Sequence, residues 1–333
     1  MDFIKIMREK AKKAQKRLVL SDGTDVKVIQ AARIILDAKL AGEVTLIGGT
    51  DAVAAAAEKE SVCLDGIQVL CPAASPDLPQ YTALFNSLKQ HTALEGAVTS
   101  PLCWAAMMLR HGAADALVAG PLSTETDVLT VGGAVIGTAA GFKTISSCLA
   151  VQTKDERLGV NGAFIFADCS VITVPSAEEL AGIACAAANS ARSFLDADPV
   201  VAFLSLLSND ESCREQTQKV RTAMEILKKR TVNFPFGGGG LSGSDELDFI
   251  LDAERAHGGY AANALSGRTV NTLIFPDAQS GSIAYKILQR LGNTSVYGPF
   301  LQGFAKPAGS ISPRASIEDI VVHCAVQLAQ HPA

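Results

Sequence analysis

Short apolar runs alternate along this chain with longer segments in which apolar residues recur every three or four positions. Leu18–Leu20, Val44–Ile47, Ile67–Leu70, Ala116–Val118, Val200–Leu206 and Val270–Phe275 are runs of the first kind and read as buried strands. Val26–Ala38, Tyr81–Gln90, Trp104–Arg110, Ala177–Phe194, Cys213–Lys229, Ile283–Leu291 and Ser316–Gln330 carry the helical period. Lys143–Val151 and Ala163–Ala167 flank an Asn161-Gly162 turn, which is a hairpin signal. Ser295–Tyr297 reads as one further short strand. Alternation of strands and helices predicts an α/β fold of mostly parallel sheet wrapped on both faces. Such sheets bind ligands at the carboxyl ends of their strands. The loops Ser21–Asp25, Gly120–Asp127, Asp168-Cys169, Ser208–Glu211 and Pro276–Ser282 follow strands and are therefore informative.

Composition narrows the class. The 333 residues suffice for two domains, and 48% hydrophobic against 19% charged residues allows a sizeable core. Aromatics are only 5%, with alanine and glycine in their place, which suits helices packed closely on a sheet. The apolar runs are too short to span a bilayer, so no membrane role is expected. The opening MDFIKIMREKAKKAQKR reads as an amphipathic docking helix with a solvated lysine face, lacking the apolar core of a signal peptide. A net charge of −5 argues against nucleic acid as a partner. The 8 cysteines show no CxxC and no metal-ligand spacing to the 5 histidines, so they read as reduced thiols of a cytoplasmic protein without a metal.

Two stretches carry candidate chemistry. Phe236–Gly243 contains a GxGxxG match from Gly238 to Gly243. Its strand context is feeble and it sits mid-chain, so it reads as a glycine loop rather than a dinucleotide site. Gly298–Val321, GPFLQGFAKPAGSISPRASIEDIV, offers cations, hydroxyls and carboxylates together. Pro307, Gly309 and Pro313 forbid a helix in its first part, and a helix begins at Ser316. A long polar loop feeding a helix N-terminus is thus expected, an arrangement suited to an anion.

This last stretch resembles the C-terminal signature of the phosphate acetyltransferases (phosphotransacetylases), in its GP-F-LQG-F-AKP run and its SxEDIV. Further matches are Phe166–Cys169 (FADC), Tyr285–Leu291 (YKILQRL), Leu273–Asp277 and the Met107-Met108 helix. The resemblance implies two α/β domains with doubly wound sheets, of the isocitrate/isopropylmalate dehydrogenase-like architecture, separated by a cleft. Residues 1–143 with 297–333 would form one domain and 144–296 the other. It implies transfer of an acetyl group, acetyl-CoA + phosphate ⇌ acetyl phosphate + CoA, with coenzyme A as a substrate, no tightly bound cofactor, and a homodimer.

Carried over residue by residue, the family's serine and aspartate fall on Ser312 and Asp319. A carboxylate can take the thiol proton of CoA as general base, and a hydroxyl can donate to the oxyanion of the tetrahedral intermediate. Ser316-x-x-Asp319 is also a capping-box pattern. Arg290 matches a phosphate-holding arginine, whose fork fits phosphate oxygens. Arg314 stands one place beyond another, whose own position holds Pro313. Lys89 aligns loosely with a third, and Cys169 with a cysteine near the coenzyme. Thr130 replaces a further arginine, and Asn209-Asp210-Glu211 puts acids where glycine and hydroxyl residues are usual. These departures leave one alternative open, a weakly active or inactive paralogue serving as a binding or association protein; a longer-chain (butyryl) phosphate acyltransferase, differing only in its acyl pocket, is another.

Overall fold

A computed structural model describes residues 2–88, 97–205, 214–230, 232, 235–238 and 268–330. The chain divides into two compact units, one of Asp2–Ala140 with Phe304–Ala333, the other Gly141–Gly303. The changeovers fall several residues from the expected 143/144 and 296/297. The folds of both units are α/β, with mostly parallel sheets as the alternation predicts.

The two-segment unit is built on five strands: β1 (Arg17–Leu20), β2 (Glu43–Ile47), β3 (Ile67–Leu70), β4 (Ala116–Ala119) and β11 (Ala308–Ser310). They lie in the order β11-β4-β1-β2-β3, and every neighbouring pair is parallel. Leu18 stands opposite both Val44 and Ala116. Central strands covered on both faces need continuous apolar runs, and Leu18, Val19 and Leu20 are all at most 1% exposed. Helix α1 (Phe3–Ala14) buries Phe3, Met7 and Ala11, one side of its turns, while its lysines stay outside. It packs on the last helix, α10 (Ile317–Ala329), whose residues from Ile320 to Ala329 are all buried.

β11 departs from the sequence reading, which places a loop there. Gly309 explains why this proline- and glycine-rich segment can be a strand. A Cβ on Gly309 would lie 2.7 Å from Gln327 Nε2 and nearer still to His323 Nε2. Only a residue without a side chain lets β11 pass under α10 and pair with β4.

The contiguous unit holds β5 (Ser146–Gln152), β6 (Ala163–Ala167), β7 (Val201–Phe203), β8 (Phe236–Gly238), β9 (Thr272–Ile274) and β10 (Ser295–Gln302). Their order is β10-β5-β6-β9-β7-β8. The β5–β6 hairpin is antiparallel, as its turn predicts, and β10 adds antiparallel to β5; the other pairs are parallel. Two strands differ from expectation. β10 runs to Gln302, beyond the short strand foreseen. Gly237 and Gly238 of the glycine run belong to edge strand β8, while Gly239–Gly243 lie outside the described residues. Helix α7 (Ala177–Leu195) is tied to β10 through Ser190, which donates to Gln302 Oε1 at 2.8 Å. Helix α9 (Ala278–Leu291) follows β9 and is capped by Asp277, which accepts from the Ser280 amide at 2.7 Å.

Candidate active site

In the two-segment unit, the carboxyl ends of β1, β4 and β11 lie side by side, and three loops leave from them. The β11 loop carries Ser312, Arg314 and, one turn into α10, Asp319. All three side chains are exposed. Backbone hydrogen bonds hold the loop to the sheet: Ile311 N–H donates to the Ala119 carbonyl at 2.8 Å. Arg314 N–H donates to Ser312 Oγ at 3.2 Å, closing a hydroxyl turn over Pro313. From α2 (Val26–Asp37), Lys27 Nζ reaches across and donates to the Ala315 carbonyl at 2.9 Å.

The capping box predicted at Ser316 is formed. Ser316 Oγ accepts from the Asp319 amide at 3.2 Å. Asp319 Oδ2 accepts from the Ser316 amide at 2.9 Å and from its hydroxyl at 2.7 Å. Asp319 Oδ1 is left without a hydrogen-bond partner among the described residues. The neighbouring Glu318 is engaged elsewhere, 2.6 Å from Arg8 on α1. No hydrogen bond joins Asp319 to Ser312; the two share one segment, and both are exposed. Helix α6 (Glu125–Val135), which follows β4, starts with an equivalent box, Thr124 with Asp127. There the two bonds that Thr124 donates, from its hydroxyl and its amide, hold the Asp127 carboxyl below its ordinary value.

Beneath these loops lies a residue that the sequence reading did not single out. Asp22 lies two residues beyond the end of β1 and is 5% exposed. Its Oδ2 accepts from the Gly120 amide, and its Oδ1 accepts from Ser123 Oγ at 2.9 Å. Burial pushes its carboxyl above the usual value, while the Ser123 hydroxyl and the amides of Gly120, Ser123 and Leu122 pull the other way. The available signal was an aspartate two residues after an apolar strand, inside a loop already marked as informative.

The contiguous unit has a comparable feature. Asp168, 2% exposed, follows β6 and accepts from Ser147 Oγ, from the Ser170 and Val171 amides at 3.0 and 3.2 Å, and from the Ile172 amide at 2.9 Å. It thereby shapes the 168–172 loop. Cys169 is 3% exposed and closed in beside Gly281, where an added Cβ would come within 2.8 Å of its sulfur. Burial, then the nearby Asp168, push its thiol well above the ordinary range, so it is no thiolate at neutral pH. Arg290 is exposed on the last turn of α9, where a cation suits the helix dipole. Lys89 and the Ser208–Glu211 loop lie outside the described residues. Among the described residues, no group of three or more His, Cys, Asp or Glu side chains is placed to hold a metal, and no helix is long and apolar enough to cross a membrane. Structure thus gathers Ser312, Arg314 and Asp319 on one segment and sets Cys169 and Arg290 in the other unit.

Comparison with known proteins agrees across the whole length. The family model for phosphate acetyl/butaryl transferase matches residues 2–328. A phosphate acetyltransferase of Treponema pallidum is 40% identical over 99% of both chains. Among solved structures, a phosphotransacetylase from Streptococcus pyogenes has a TM-score of 0.86 at 27% identity, covering 98% of this chain and 97% of its own. The EutD phosphotransacetylase from Staphylococcus aureus has a TM-score of 0.83 at 25% identity, covering 99% and 98%.

Proposed function

Since this chain belongs to the phosphate acetyl/butaryl transferase family, we propose that it interconverts acetyl-CoA and phosphate with acetyl phosphate and CoA, and that the segment from Ser312 to Asp319 does the chemistry. The enzyme is a transferase. One observation carries the reading: a full-length relative that is 40% identical is itself a phosphate acetyltransferase. That likeness favours neither an inactive paralogue nor a butyryl enzyme.

In the direction of acetyl-CoA synthesis, Asp319 takes the proton of the CoA thiol. Its unengaged Oδ1 is the acceptor, while Oδ2 stays fixed by Ser316. The thiolate sulfur forms a bond to the acetyl carbonyl carbon, and the carbonyl electron pair moves onto oxygen. Ser312 Oγ–H donates to that oxyanion, its Oγ held in turn by the Arg314 amide. The oxyanion collapses, the bond between the acyl carbon and the bridging oxygen breaks, and phosphate leaves with that oxygen and the bonding pair. Arg314 offers its exposed guanidinium to the phosphate charge. Arg290 is a further phosphate ligand in this reading, and Cys169 serves CoA binding by shape, since its buried thiol is neutral. Coenzyme A is a substrate and no resident cofactor is needed. The enzyme works in the cytoplasm as a homodimer.

A coupled assay following phosphate-dependent release of free CoA thiol from acetyl-CoA tests the proposal. Release above the buffer blank that disappears without phosphate is expected; a folded protein giving none would reject it. Replacing Arg290 or Arg314 by alanine should raise the KM for phosphate about tenfold, the effect of losing a charge-assisted bond, with the KM for acetyl-CoA unchanged. An equal rise for both substrates would refute phosphate binding.

A further inference from the structure

We propose that Asp22 is a positioning residue for the acyl-transfer step, acting on Ser312 through Gly120. This rests on the role given to Ser312 above.

The path is short and lies wholly inside the two-segment unit. Asp22, two residues past β1, accepts from the amide of Gly120, the residue after β4. Gly120 in turn lies flat against the β11 exit. Its α-carbon faces the Ile311 backbone so closely that any Cβ would run into the Ile311 carbonyl, amide nitrogen and carbonyl carbon. Gly120 also has φ +100°, a conformation that side chains rarely adopt. On the other side, Ile311 N–H is bonded to the Ala119 carbonyl. Residues 119 and 120 therefore set the height at which the backbone leaves the sheet toward Ser312. A change in the Gly120 amide plane is handed directly to Ile311 and on to the next residue. Ser123 Oγ–H, the second donor to Asp22, fixes the far end of the same loop, immediately before the Thr124 cap of α6.

The energetics argue for a reason beyond folding. Asp22 is a buried carboxylate with no cationic partner among the described residues, and burial raises its carboxyl above the ordinary value. A charge in that position costs stability relative to a neutral isostere. Its stronger, charge-assisted grip on a backbone amide is what the neutral isostere lacks. Asparagine has the same shape, but its amide nitrogen is a donor. Turned toward Ser123 it reverses that bond, the hydroxyl now accepting, and turned toward Gly120 it meets another N–H.

The test is a double-mutant cycle on the full-length enzyme, reading CoA release, with circular dichroism and a thermal midpoint for each protein. Asp22→Asn should lower kcat about tenfold, leave both KM values within twofold, and hold or raise the thermal midpoint. In the Ser312→Ala background the same change should have no further effect on kcat, because the group it positions is gone. A purely structural role would lower kcat equally in both backgrounds, and that result overturns the proposal. So does wild-type turnover of D22N. If S312A itself keeps full turnover, the role of Ser312 fails, and any loss in D22N then belongs to another function of the loop. Should D22N not fold, Ser123→Ala carries the same cycle with about a threefold loss expected; wild-type kinetics for S123A in that case overturn the proposal.

Discussion

At the scale of residues, Asp319 would divide its two oxygens between two tasks in the proposed reaction. Oδ2 completes the cap of α10, and Oδ1 would take the thiol proton. Asp319→Asn keeps an acceptor for the cap, so the helix should stay, with a cost of about 1 kcal/mol at most. Turnover should fall by about 10² to 10⁴, the range for loss of a general base. Measuring the thermal midpoint beside CoA release separates these effects; unfolding with no folded, inactive species would mean that the carboxylate serves only the cap. Ser312→Ala should cost about 10² in kcat with little change in stability, since the exposed hydroxyl accepts one local bond. Ser312 and Asp319 could be nominated as candidates from the sequence because they sit within one signature. Asp22 could not, because its partners at Gly120 and Ser123 are a strand crossover away and no local spacing joins them.

At the scale of elements, most of the fold was legible. Runs such as Leu18–Leu20 and Val44–Ile47 are buried on both faces of a sheet, and such strands announce themselves by apolar continuity. The Asn161-Gly162 turn likewise marked the β5–β6 hairpin. β11 was not legible, because the residues that make it a strand are chosen for absence of bulk. Gly309 has its place under His323 and Gln327, two polar side chains of a buried helix face. Gly309→Ala should therefore destabilise the protein by about 1–3 kcal/mol through overpacking. It should also reduce turnover, since Ser312 follows directly. A thermal midpoint unchanged within a degree would show that α10 can yield. β8 escaped notice for a related reason: Phe236–Gly238 is an edge strand whose glycines carry no apolar signal.

At the scale of the whole molecule, acid sensitivity follows from groups that take no part in the proposed chemistry. His323 is buried in α10, and burial alone lowers its pKa to about 4. An unfolded histidine titrates near about 6.5, so the unfolded chain takes up a proton first as pH falls. The stabilisation is complete above about 6.5 and is lost progressively down to the folded value, in all about 3 kcal/mol. Asp115 adds a smaller loss at lower pH. Its ring of bonds from Arg17 holds its carboxyl below the ordinary value, so that pair stabilises above about 3.9 and fails below it. With side chains 40% and 35% exposed, it is worth at most about 1 kcal/mol. Denaturant midpoints measured from pH 7 to pH 4 should fall steadily, and His323→Gln should remove most of the slope. A slope unchanged in that variant would assign acid sensitivity to other groups.

The division of the chain has a consequence for biosynthesis. Gly141–Gly303 is one uninterrupted stretch, whereas its companion unit needs β11 and α10 from the far end. On the ribosome, the β1–β4 sheet therefore waits, with the face destined for α10 uncovered, while the entire middle section is translated. Nascent chains stalled before residue 304 would be the species most in need of a chaperone.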